Sequence, residues 1–294
     1  MVYSLVKMFS WSVCRMPLGL RRSLGNIVGE LCWPLVPGRR KKMAIDNVRR
    51  GFGISQAEAT KIAKLSTTRF GRMFMEVLAF PCINKGNVDK HVQLEGAEYL
   101  TEALSYGRGV ILATAHSGNW ELLGAGLAIN GFPLAAVVQK QTNAAMDKFI
   151  NEYRTLAGMH ITYKSGVREM VRLLGEGKII GLLMDQDAHS DGVFVEYFGR
   201  PASAPQGAAV LARMKDSPIV PAFITENSDG THTAIIHPHI MPLKTKNKTD
   251  DVYTITAKLT NIIEQHVRQH PHEWFWLHNR WKTKPPEGKP ESGK

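Results

Sequence analysis

From about residue 90 onward, short apolar runs alternate with segments of helical periodicity, and this alternation restricts the chain more than any other feature. Runs at 92–95, 109–114, 134–139, 160–163, 179–184, 219–224 and 233–237 read as strands, and 99–104, 143–156, 167–174, 206–215 and 250–270 read as helices. Such an order predicts a three-layer α/β/α domain with a mixed central sheet. Ahead of it, Ser55-Gln56-Ala57-Glu58 is a capping box for a helix that Pro81 stops. The predicted division is an amphipathic arm over 1–38, the domain over 39–284 and a disordered Pro/Gly/Lys/Glu tail over 285–294.

The net charge of +11 is placed unevenly: residues 1–50 hold ten basic and two acidic side chains. That arm also carries Leu5, Met8, Phe9, Trp11, Leu31 and Trp33, more aliphatic bulk than nucleic-acid arms show, so nucleic acid is not expected as a partner. A basic amphipathic segment with tryptophans suits an anionic membrane surface, with packing on the domain as the plainer reading. Lys7 and Arg15 interrupt the apolar run, and no small-residue cleavage site follows, so neither a bilayer-spanning helix nor a signal peptide is expected. Cys14, Cys32 and Cys82 lack metal-ligand spacing and read as reduced thiols.

The densest chemistry lies in Ala115-His116-Ser117-Gly118-Asn119-Trp120-Glu121. His116 falls at the carboxyl end of a strand, where open α/β sheets keep their ligands, and Glu121 falls in the first turn of the next helix. Glu121 is expected to hold one imidazole nitrogen and leave the other free as a base. Spacing alone serves a capping glutamate beside an inert histidine equally well. The backbone N–H groups of Gly118 and Asn119 at a helix start offer a place for a developing oxyanion. Ser117 follows His116 directly and lies in no G-x-S-x-G elbow, which argues against a serine hydrolase.

A second constellation, Asp185-Gln186-Asp187, ends another buried strand, with His189 two residues on. A D-x-D pair serves metal-dependent glycosyltransferases, the competing class. The expected role is instead orientation, with one acid supporting His116 from an adjacent strand, and no metal or other cofactor. Segment 194–207 reads as a defined loop leading into a helix whose start could meet an anion, and Arg154 as a helix arginine able to reach a carbonyl or phosphate. Segment 273–282 packs aromatics among bases and reads as a wall at the sheet edge or a membrane-interface patch.

Taken in order, His116-Ser117-Gly118-Asn119-Trp120-Glu121, Asp185-Gln186-Asp187, the run from Val193 through Phe198-Gly199-Arg200-Pro201-Ala202, and Trp276-Leu277-His278-Asn279-Arg280-Trp281-Lys282 resemble the lipid A biosynthesis lauroyl/myristoyl acyltransferase family, within the glycerolipid acyltransferase group. The resemblance covers about residues 40–286. It implies acyl transfer from an acyl carrier protein thioester to a hydroxyl of a phosphorylated lipid A precursor, at the cytoplasmic face of a bacterial inner membrane. It implies His116 as base, Glu121 as its partner, Arg154 as an electrostatic or oxyanion element and Asp187 as a supporting acid. Substrate contacts are expected from Ser117, Gly118, Asn119, Lys140, Lys164, Asp185, Gln186, Arg200 and Arg280. Phosphatidylinositol mannoside acyltransferases share the His–Glu pattern, so that acceptor, with acyl-coenzyme A as donor, is the alternative. The chain departs from the family in its interrupted arm, where a transmembrane helix is common, and in Asn279-Arg280, where two arginines are frequent.

Overall fold

The computed structural model describes residues 2–286. The tail expected beyond 285 lies, from 287 on, outside the described residues. Four helices come first: α1 (Val2–Arg15), α2 (Leu18–Leu35), α3 (Gly38–Phe52) and α4 (Gln56–Leu78), with Pro17 and Pro37 at the two sharp joints. The α4 N-terminus forms as the capping pattern predicts, with Ser55 Oγ accepting the Glu58 N–H at 3.2 Å and Glu58 accepting the Ser55 N–H at 3.0 Å.

The 1–38 segment is therefore two helices, and one side of each is packed. α2 meets α4 backbone to backbone: a Cβ on Gly29 would lie 1.8 Å from the Thr68 carbonyl oxygen, and one on Gly71 2.1 Å from that of Gly25. α1 is pinned where Ser10 donates to the Leu78 carbonyl at 2.6 Å and accepts from the Tyr153 hydroxyl at 2.5 Å. The opposite side is bare, with Met8, Trp11, Leu31 and Leu35 63, 59, 64 and 80% exposed. No helix among the described residues is long and apolar enough to cross a membrane.

Seven strands then form one sheet, in the order β1 (Val92–Glu95), β9 (His232–Ile236), β8 (Ile219–Glu226), β2 (Val110–Thr114), β5 (Ile179–Leu183), β3 (Leu134–Val138), β4 (His160–Tyr163). Five strands run parallel, and β9 is antiparallel to β8 and parallel to β1, so the sheet is mixed as expected. Central β2 is buried along its whole length, because helices cover both faces. Ile111 and Ala113 point into the layer that packs α8 (Val167–Gly175), α9 (Gly207–Lys215) and α10 (Lys248–Gln269). Val110 and Leu112 point into the opposite layer, against α5 (Ala97–Ser105), α6 (Trp120–Ile129) and α7 (Ala144–Leu156).

Segment 194–207, expected as a loop, is as far as Ala204 a separate hairpin, β6 (Val193–Tyr197) and β7 (Arg200–Ala204). Its two-residue turn holds Phe198 and Gly199 at φ 53° and 66°, the positive values that a twist-matched hairpin turn requires.

Candidate active site

Register places the central pair. Thr114 on β2 pairs with Leu183 on β5, so two residues further along both strands His116 stands opposite Asp185. His116 Nδ1 lies 2.8 Å from Asp185 Oδ1, and Trp274 Nε1 donates to Asp185 Oδ2 at 2.7 Å. Burial alone would raise the Asp185 carboxyl, which is 3% exposed, but the adjacent imidazole and the two hydrogen bonds prevail and hold it below the usual carboxylate range. An ionised Asp185 fixes the proton on Nδ1 and leaves the Nε2 lone pair outward. The Gln186 amide lies 3.4 Å from Nε2.

This corrects the expected role of Glu121. Both of its oxygens belong to Arg154, at 2.8 Å from Nε and 2.6 Å from Nη2, while the remaining Arg154 nitrogen donates to Asn151 at 2.9 Å. The first turn of α6 aims Glu121 across at α7 rather than back at the sheet, and the strand register gives His116 a nearer acid. The Arg154 fork, expected to face a carbonyl or phosphate, is thus committed to a carboxylate.

Asp187 is likewise not on the imidazole. It accepts from the Thr283 hydroxyl at 2.8 Å and the His189 N–H at 3.3 Å, fastening the segment after α10 to the end of β5. Asp185 and Asp187 therefore face different partners, and among the described residues no group of three His, Cys, Asp or Glu side chains is placed to hold a metal ion.

The turn after His116 is built into the core. Gly118 has φ 58°, and a Cβ there would sit 1.9 Å from the Ile224 carbonyl oxygen, so only glycine fits. Its N–H donates to Glu273 O at 3.1 Å and its carbonyl accepts from buried Arg69 at 2.7 Å. The Gly118 N–H is consequently not open to an oxyanion. Asn119 caps α6 through the Leu122 N–H and donates its amide to Glu76, and the Ser117 hydroxyl lies 3.1 Å from His266 Nε2. All three residues, expected as substrate contacts, are buried supports of the turn.

Arg280, also expected at the substrate, is 1% exposed and donates to Ser203 O at 2.7 Å behind the hairpin. Arg200 stacks 3.5 Å over Trp281, and burial lowers its guanidinium to about 10. Lys140 and Lys164 are exposed after β3 and β4, and neither lines a cleft beside His116.

Two clefts lie near His116, which lines neither of them but adjoins one through Trp120 and the other through Phe275. One, of about 500 Å³ with its open mouth, is walled by Leu112, Leu123, Leu134, Val138, Met159 and Leu183, with Trp120, Glu121 and Arg154 also on its wall. The Trp120 ring stands 4.9 Å from that of His116. The other, of about 1240 Å³, carries Arg39, Arg40, Lys282, His189 and His278. It reaches the site through Phe275, which lines it and donates its N–H to His116 O at 3.0 Å. Sequence reasoning missed Trp274 and Arg69. The first lay in view within an aromatic cluster whose register to Asp185 no spacing discloses, and the second carries no local signal.

Residues 1–283 match the family model for bacterial lipid A biosynthesis acyltransferases. Curated relatives include the lipid A biosynthesis lauroyltransferase of Escherichia coli K12, 25% identical over 95% of this chain and 90% of its own. A lipid A biosynthesis acyltransferase of Haemophilus influenzae is 23% identical over 96 and 84%. The phosphatidylinositol mannoside acyltransferase of Mycolicibacterium smegmatis is 24% identical over 80 and 77%.

Proposed function

The chain belongs to the bacterial lipid A biosynthesis acyltransferase family, and from that premise we propose that it moves a fatty acyl chain from an acyl carrier protein thioester to a hydroxyl of a phosphorylated lipid A precursor. The observation that carries the chemistry is His116, with Nδ1 fixed by Asp185 and its neighbours Trp120 and Phe275 on the walls of an apolar and a cationic cleft. The acyl chain lies in the apolar cleft. Nε2 takes the proton of the acceptor hydroxyl as its oxygen attacks the thioester carbonyl, the carbon–sulfur bond breaks, and the imidazolium returns the proton to the leaving thiolate. Asp185 keeps the imidazole in the right tautomer and stabilises its charged form. The Gln186 amide is the polar side chain beside Nε2 able to face the carbonyl oxygen as charge develops there.

The lipid A acceptor is preferred because the lauroyltransferase likeness runs over 95% of the chain. A phosphatidylinositol mannoside acceptor with acyl-coenzyme A as donor is the second reading, favoured by the mycobacterial relatives. The bare apolar side of α1 and α2, with basic residues around it, supports a peripheral position on the cytoplasmic face of the inner membrane.

The test is acyl transfer by the purified chain to each acceptor from each donor. His116→Ala is expected to lower turnover by about 10²–10⁴-fold while remaining folded. A folded His116→Ala protein with near-full transfer ends the mechanism, and transfer to the mannoside alone replaces the acceptor.

A further inference from the structure

We propose that the cationic cleft beside His116 binds the phosphate of the lipid that supplies the hydroxyl, held by Arg39, Arg40 and Lys282. The inference rests on the acyl-transfer reading and deepens it, because it joins Lys282 of the last motif to Arg39 and Arg40, which lie outside every motif.

The three cations come from distant parts of the chain, the first turn of α3 and the segment after α10, and converge on one cleft. They are exposed, and none makes an ion pair among the described residues, whereas Lys64, Arg72, Arg154 and Arg213 each have an acidic partner. The single acid on the wall, Asp187, is engaged by Thr283 and His189. Like charges gathered without counter-charge repel one another, and an anion in the cleft relieves that repulsion. Two guanidinium forks and an ammonium match the oxygens of a phosphate.

Position selects the source of that phosphate. The bare side of α2 ends at Leu31 and Leu35, 64 and 80% exposed, and Arg39 follows four residues later. A membrane touching that side of α2 sets Arg39 and Arg40 at headgroup depth, where lipid phosphates lie. Phe275, on the cleft wall, donates its backbone N–H to His116 O, so the cleft adjoins the strand end that carries the base.

The experiment titrates the full chain with dihexanoyl phosphatidate and with uncharged dihexanoylglycerol, both as soluble monomers. The wild type should prefer the phosphatidate by about tenfold or more. R39Q/R40Q/K282Q should lose most of that preference, while K42Q/R50Q, which alters cations outside the cleft, should keep it. No preference in the wild type, or equal loss in both variants, overturns the site. Hydrolysis of acyl-coenzyme A separates the donor as source: a raised KM in R39Q/R40Q/K282Q with phosphatidate binding intact assigns the cleft to the donor's phosphates and overturns the proposal. A wild type that transfers no acyl group yet prefers the phosphatidate leaves the cleft standing and removes the acyl-transfer reading instead.

Discussion

At the scale of single residues, two acids near His116 have separable jobs. Asp185 acts on the imidazole, so Asp185→Asn should lower turnover by about 10²–10⁴-fold with H116A adding little, measured as acyl transfer in single and double variants. Glu121 and Arg154, both mostly buried, satisfy each other. Removing Glu121 leaves an uncompensated guanidinium, and Glu121→Ala should cost on the order of 3–5 kcal/mol in denaturant unfolding, with R154A in the same chain recovering part of it. Glu273, buried behind the Gly118 turn, is raised to about 7, chiefly by burial. Its folded form holds a proton that the unfolded chain releases near its ordinary value, so its contribution favours folding at low pH and is lost as pH rises from about 4.5 to about 7. Urea unfolding at pH 5 and pH 8 should therefore give Glu273→Gln a larger stability advantage over the wild type at pH 8. His116, Asp185 and the strand ends that carry them were legible in the sequence, because a polar cluster closing an apolar run marks a strand terminus. The choice of Asp185 over Glu121 was not legible, since it depends on the pairing of β2 with β5, two segments separated by two other strands.

At the scale of elements, every strand of the large sheet announced itself through apolar runs, and α4 through its capping box. The β6–β7 hairpin did not, because Phe198 at positive φ is an unusual choice in a turn that favours Asn-Gly, and the pair of strands is short. The packing of α2 was also hidden. Gly25 and Gly29 contribute nothing to an apolar pattern, yet they are where α4 comes within backbone contact. Gly29→Ala puts a methyl 1.8 Å from the Thr68 carbonyl oxygen, so the helices must part. The expected outcome is an arm cut by protease near residues 16–17 and 36–37 well before the sheet domain unfolds, with the wild type resistant under the same conditions.

At the scale of the whole molecule, the chain is an α/β sheet domain with a two-helix platform that is packed on one side and apolar on the other. Binding to anionic vesicles should weaken with salt as the basic residues are screened, each worth ~1 kcal/mol near the surface, and should leave a salt-resistant remainder from the apolar side. Substituting serine for Trp11, Leu31 and Leu35 together should abolish that remainder without unfolding the domain, as read by vesicle sedimentation and thermal unfolding. Binding unchanged in this variant would remove the platform from the membrane. The last strand-like contact of the site, Ser117 against Trp274, and the tether from Asp187 to Thr283 both reach across more than ninety residues of chain. A ribosome making this protein from its N-terminus therefore releases the His116 turn long before the pieces that lock it. Until residues 273 and 274 have emerged, Asp185 lacks its indole and the Gly118 turn its brace, so the supports of the site close only after every strand of the sheet has been made.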